Sequence, residues 1–168
     1  MNFPTAPDHT IKQGFEPGQV TWRSPSNIAL IKYWGKYGKQ LPRNPSLSLT
    51  LANAYSETTF KYKEKEDPSN KIVLRFRLDG EEMPAFEARI QTYLTSILPA
   101  FPFLEQMDIE LHSRNSFPHS SGIASSASGF SALALCLCSL EHLFFDTLPN
   151  DQLFRRKASY VARLGSGS

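Results

Sequence analysis

Two stretches carry residue types whose spacing could do chemistry. The first is Phe117–Gly129, "FPHSSGIASSASG", which sets five serines among thirteen residues and runs straight into the apolar segment "FSALALCLCSLEHLFF". Serine is mediocre inside a helix and good at its cap. One or two would serve as caps, and five ask for another role. Small hydroxyl residues ahead of an apolar helix leave that helix's first N–H groups free, and a helix N-terminus carries about half a positive charge, so an anion is the natural ligand. Gly122 lets the backbone approach a ligand with no Cβ in the way. Ser125, Ser126 and Ser128 add hydroxyls that can donate to phosphate oxygens or reach a phosphate-bound Mg²⁺. The lysine of a G-x-x-x-x-G-K-[ST] loop is absent, so this is not a Walker-type site. A serine-capped buried helix is the competing structural reading.

The second stretch is "NIALIKYWGKYGKQLPRN", where Lys32, Lys36 and Lys39 alternate with Tyr33, Trp34 and Tyr37 between Pro25 and Pro42. Ammonium groups held among aromatic walls neutralise an anionic ligand while the rings exclude water. A solvated lysine face beside core aromatics is the alternative. His9, His112, His119 and His142 are scattered with no Asp-His-nucleophile spacing, and His119 reads as a loop-packing residue. No side-chain cluster suggests a metal. Cys136 and Cys138 stand two apart on one apolar helix, point to different sides, and read as buried core thiols.

The elements that must position these stretches follow from periodicity. Residues 1–18 hold Pro4, Pro7, Pro17, Gly14 and Gly18 without a period and read as an irregular arm. "QVTWRS" alternates as a short strand, and a loop-like "PSN" opens the lysine segment. "PSLSLTLA", "ETTFKYKE", "KIVLRFRLDG" and "MDIELHS" alternate as half-buried strands, which favours antiparallel pairing. Phe86, Ile90, Tyr93, Leu94 and Ile97 have helical spacing, ended by Pro99. Residues 122–145 predict a long apolar helix with Phe130, Leu133, Leu137, Leu140 and Phe144 on one face, and "NDQLFRRKASYVARL" predicts a last helix capped by Asn150 or Asp151. Strands first and helices interspersed late make an α+β domain over residues 19–168.

The 168 residues suffice for one domain with a real core. Eighteen Lys and Arg against sixteen Asp and Glu give +2, too little to point to nucleic acid or a membrane surface. The first fourteen residues have no apolar signal core, and by this reading no run approaches the roughly 18 apolar residues of a spanning helix. A cytoplasmic location is the expectation.

Taken together, "SPSNIALIKYWGK", "FPHSSGIASSASGFSALAL" and the terminal "RLGSGS" resemble, in order, the motifs of the diphosphomevalonate decarboxylase branch of the GHMP kinase superfamily. The resemblance implies a GHMP-type N-terminal domain: a two-layer, ribosomal-protein-S5-like fold with a mixed, mainly antiparallel sheet packed with helices. It implies ATP-dependent decarboxylation of mevalonate diphosphate to isopentenyl diphosphate, with ATP and Mg²⁺ as cofactors and a homodimer in the full-length form. Carried over residue by residue, Lys32 and Asn27 fall near the tertiary alcohol and carboxylate of the substrate. Tyr33, Trp34, Gly35, Lys36, Arg89, Ser166, Gly167 and Ser168 fall to its diphosphate. Ser121, Gly122, Ala124, Ser125, Ser126 and Ser128 fall to the ATP phosphates, with Ser126 the candidate for the Mg²⁺ that arrives with ATP. The family's catalytic arginine and aspartate lie beyond Ser168, so the expectation is an N-terminal portion without its C-terminal domain, inactive alone. A related small-molecule kinase, a phosphomevalonate decarboxylase and a non-catalytic phosphate-binding fragment are the alternatives.

Overall fold

The computed structural model describes residues 10–38, 41–66, 71–118 and 122–166. Its strands are β1 (Gly18–Ile31), β2 (Lys36–Tyr37), β3 (Leu41–Pro42), β4 (Leu47–Glu64), β5 (Val73–Leu78), β6 (Glu81–Glu82) and β7 (Met107–Asn115). The helices are α1 (Pro84–Ile97), α2 (Ser125–Phe145) and α3 (Asp151–Ser166). A five-stranded sheet runs in the order β1-β4-β7-β5-β6, and β2 pairs with β3 in a separate two-stranded ribbon. The β5–β7 pair is parallel and the others antiparallel, because α1 and two 3₁₀ turns return the chain to the same end before β7. The fold is α+β with a mixed sheet, as the resemblance implied.

Alternation decides which face of the sheet is covered. Phe60, Tyr62, Phe76, Ile109 and Leu111 point inward, where Leu133, Leu137 and Leu140 of α2 and Tyr93 and Leu94 of α1 meet them. The intervening residues build a charged outer face. There Glu57 pairs with both Arg23 and Arg114, and Lys63 pairs with Asp108 at 3.4 Å. Hydrogen bonds from Arg114 and Arg23 hold the Glu57 carboxyl below the usual carboxylate range.

The structure departs from the sequence expectation at three places. "PSN" is not a loop: β1 runs through it, with a register shift between Pro25 and Ser26. Proline has no N–H to give a ladder, and it is tolerated here because β1 is an edge strand and the shift makes a bulge. "PSLSLTLA" and "ETTFKYKE" are one strand, β4, which runs through the intervening "NAYS" and carries Ala52 to Ala54 as the residues left over by the register shift. α2, at 21 residues, is long and apolar enough to cross a membrane by length and composition, which the reading of apolar runs passed over. More than half of it is buried against β1, β4 and α3.

Two buried features of the helical layer are polar. Lys157 of α3 and Glu141 of α2 are fully buried and pair at 2.5 Å. Thr147 Oγ1 donates to the second carboxylate oxygen at 2.9 Å, and the ammonium lies 4.7 Å from the Phe101 ring centre. Asn150 caps α3, its Oδ1 accepting from the Leu153 N–H at 2.9 Å. Breaking a buried pair strands a charge without solvent, so Lys157→Met alone is expected to lose about 3–5 kcal/mol in urea denaturation. Lys157→Met with Glu141→Leu is expected to recover most of that loss. Burial pushes the Cys136 and Cys138 thiols up to about 12. Neither should react with a disulfide reagent at pH 8 in the native chain, and both should react in guanidinium.

Candidate functional site

The start of α2 is tied to the first residue of the lysine segment, Asn27. Ala124 precedes the helix, and no side chain caps it, so the first-turn N–H groups have no side-chain acceptor of their own. The Ala124 N–H donates to the Asn27 carbonyl at 3.2 Å, which fastens the loop to β1 just past its bulge. Gly122 takes φ +79°, a conformation that a Cβ would strain.

Beside this helix end is a cavity of about 190 Å³. Ser125, Ser126 and Arg89 lie on its polar side and Phe76, Phe86 and Ile90 on its apolar side. Gly129, one turn into α2, lines it too, and a Cβ built there would meet nothing within 4 Å. Glycine in a helix costs about 1 kcal/mol relative to alanine; here it keeps the space over the first turn open. The arrangement sets an apolar pocket beside the N-terminus of an apolar helix, whose positive end favours an anion.

Ser128 is corrected by the structure. Its side chain turns into the protein, with Oγ 2.7 Å from Ser56 Oγ and 3.1 Å from the Ser125 carbonyl. Ser56 in turn donates to Asn115 Oδ1 at 2.7 Å. Ser128 is therefore a strut between α2 and the sheet and not a phosphate ligand. Arg89 lines the cavity with Ser125 and Ser126, its guanidinium 5.1 Å from the Phe130 ring centre.

The lysine segment closes on the other end of the chain. Lys36 Nζ donates to the Ser166 carbonyl at 2.8 Å and lies 5.7 Å from the Tyr33 ring centre. Residues 130 apart in sequence thus share one small region. Gly35 takes φ +81°, turning the chain between Trp34 and Lys36. Lys32 and Trp34 are exposed, and Asn27 is half-buried. Ser121, Gly167 and Ser168 lie outside the described residues. Among the described residues no group of three or more His, Cys, Asp or Glu could hold a metal ion.

Sequence reasoning missed the residues that shape this turn. Asn44 Oδ1 accepts from the Trp34 N–H at 2.6 Å, while its Nδ2 donates to the Lys32 carbonyl at 3.3 Å. Arg43 donates its N–H to the Gly35 carbonyl at 3.2 Å and its Nε to the Lys36 carbonyl at 3.3 Å. An asparagine just before a proline is a turn signal, but nothing in "PRNPS" says which turn it clamps.

A family model described as the diphosphomevalonate decarboxylase-like N-terminal domain matches residues 24–168. The chain belongs to this family. The match begins at "SPSN" and takes in the serine loop and the terminal "GSGS". A diphosphomevalonate decarboxylase of Debaryomyces hansenii is 34% identical over 154 residues, covering 86% of this chain and 38% of that protein. A solved structure of the mevalonate diphosphate decarboxylase from Enterococcus faecalis is 32% identical with a TM-score of 0.68, over 91% of this chain and 44% of that one. Another, described as MDDEF in complex with MVAPP, AMPPCP and magnesium, is 31% identical with a TM-score of 0.69, over 91% of this chain and 43% of that one. The chain therefore spans about two fifths of the length of these decarboxylase relatives.

Membership gives "RLGSGS" a structural meaning that a flexible linker would lack. Gly165 is the last turn of α3, and a Cβ there would come within 2.4 Å of Phe130 Cδ1. The Phe130 ring would have to turn toward the cavity, away from the Tyr93 ring that meets it edge-on at 4.8 Å. Overpacking of this kind costs about 1–3 kcal/mol. Gly165→Val is expected to destabilise by that amount in thermal unfolding, whereas a linker glycine would tolerate it.

Proposed function

We propose that this chain is the nucleotide- and substrate-diphosphate-binding part of an ATP-dependent diphosphomevalonate decarboxylase, acting on mevalonate 5-diphosphate to give isopentenyl diphosphate. The observation that carries the reading is the Lys36–Ser166 hydrogen bond. It draws the aromatic-lysine motif and the "GSGS" motif into one anion-binding region, a few residues from the strand that also holds the serine loop.

The residues fit ATP and Mg²⁺ on their own chemistry. Ser125 and Ser126 bring their hydroxyls to the edge of the cavity, and Gly129 leaves room for phosphate above them. Ser126 is the candidate side chain toward the Mg²⁺, and the apolar wall of Phe76, Phe86 and Ile90 suits a base. When bound, ATP would supply the phosphoryl group that turns the tertiary hydroxyl into a phosphate leaving group; that phosphate departs with C–O cleavage as the carboxylate leaves as CO₂ and its electron pair forms the alkene. Lys36 neutralises the substrate diphosphate, with Tyr33 and the Ser166 backbone at its side. Asn27 and Lys32, before and after the end of β1, would orient the alcohol and carboxylate. Fixed cations and helix-end donors of this kind carry most of the work in phosphoryl transfer.

Calorimetric titration tests the assignment. The chain should bind mevalonate diphosphate saturably, and Lys36→Ala should weaken it about 10- to 100-fold, the equivalent of one charge-assisted hydrogen bond. Ser126→Ala should weaken Mg²⁺–ATP and leave diphosphate binding unchanged. A folded chain that binds neither ligand overturns the reading.

A further inference from the structure

Residues 24–56 carry Lys32, Lys36, Lys39 and Arg43 and no Asp or Glu. Like charges repel when gathered, and this stretch holds no carboxylate of its own to offset them. The fold gathers them all the same. β2 and β3 pair Lys36 with Pro42, which brings Arg43 back beside the turn at Gly35. The Arg43 N–H donates to the Gly35 carbonyl at 3.2 Å and its Nε to the Lys36 carbonyl at 3.3 Å. The side chain crosses Gly35 on the way: a Cβ built on that glycine would lie 3.5 Å from Arg43 Cδ and 3.8 Å from its Nε. Asn44 locks the same turn through the Trp34 N–H and the Lys32 and Pro45 carbonyls. The carbonyls of Lys32, Gly35 and Lys36 are thus each held by a donor from Arg43 or Asn44.

Arg43 is exposed, and among the described residues no carboxylate pairs with it. A guanidinium that uses Nε on a backbone carbonyl keeps its two terminal NH₂ groups, and such a group matches two phosphate oxygens in a way an ammonium cannot. Lys36 therefore has a second cation fastened to its own backbone. We propose that Arg43 is a specificity-determining residue of the lysine region, placed to contact the additional phosphoryl group of a diphosphate and so to favour it over the corresponding monophosphate. The proposal rests on the assignment of Lys36 to the substrate diphosphate. Lys36 alone neutralises one phosphoryl group and serves either ligand, whereas specificity is a difference of affinities and needs a contact that only one ligand can make.

The test is calorimetric titration of the 168-residue chain with mevalonate 5-diphosphate and, separately, with mevalonate 5-phosphate. The wild-type chain should bind the diphosphate more tightly. Arg43→Gln should weaken the diphosphate about tenfold, the equivalent of one charge-assisted hydrogen bond, and change the monophosphate by no more than about threefold. Arg43→Lys keeps the charge and loses the fork, so its preference should fall between the two. Circular dichroism establishes that the variants are folded, and Arg43→Lys carries the test if Arg43→Gln is not. Equal weakening of both ligands overturns the proposal, because a side chain that only shapes the turn would serve both alike. An undiminished preference in a folded variant overturns it too, as does a wild-type chain that binds both ligands equally. Each of these outcomes leaves the assignment of Lys36 standing. A wild-type chain that binds neither ligand overturns both together.

Discussion

A helix that is apolar on nearly every side must be covered on nearly every side, and α2 imposes that demand on the whole molecule. β1 and β4 take one flank and α3 the other. The demand runs to the helix's first turn, where covering and function compete. Ser128 goes inward to Ser56, and Ser125 and Ser126 stay at the cavity. A single turn is thus divided between holding the sheet and facing a ligand. The alternation of small residues in "ASSASG" is what allows both.

The second junction depends on the first. Because the Ala124 N–H is bonded to the Asn27 carbonyl, the position of α2 sets where β1 ends its covered course and where Lys32 to Lys36 begin. α3 then packs along α2, closes on Phe130 through Gly165, and delivers the Ser166 carbonyl to Lys36. The buried Lys157–Glu141 pair lies between the same two helices. An ion pair of this kind adds little net stability against an apolar replacement, but it penalises every other register of α3 on α2. Register is what the Lys36–Ser166 contact requires.

Much of this was legible in the residues. The helices announced themselves through 3.6-residue spacing, the strands through alternation, and Asn150 through its place before an amphipathic run. The two candidate segments stood out because hydroxyls and lysines were concentrated beyond any structural need. What periodicity could not carry was long-range. Lys157 reads as a surface lysine until Glu141 is found opposite it, and Ser128 reads like its neighbours until Ser56 appears beneath it. Arg89 belongs beside the serine loop only because α1 crosses next to α2 at Phe130. The bulge at Pro25 and Ser26 was hidden because "PSN" has turn composition, and only the edge position of β1 makes a strand tolerable there.

The strand order has a consequence for how the chain is made. β7 lies between β4 and β5, yet it leaves the ribosome after both. Until then β4 has one paired edge and β5 has only the short β6, and the apolar sides of both wait for α2, which is later still. Non-local pairing of this sort is slow, and unpaired edges of nascent strands are open to neighbouring chains. The sheet cannot close in the order of synthesis, so β4 and β5 carry open edges until β7 has been made.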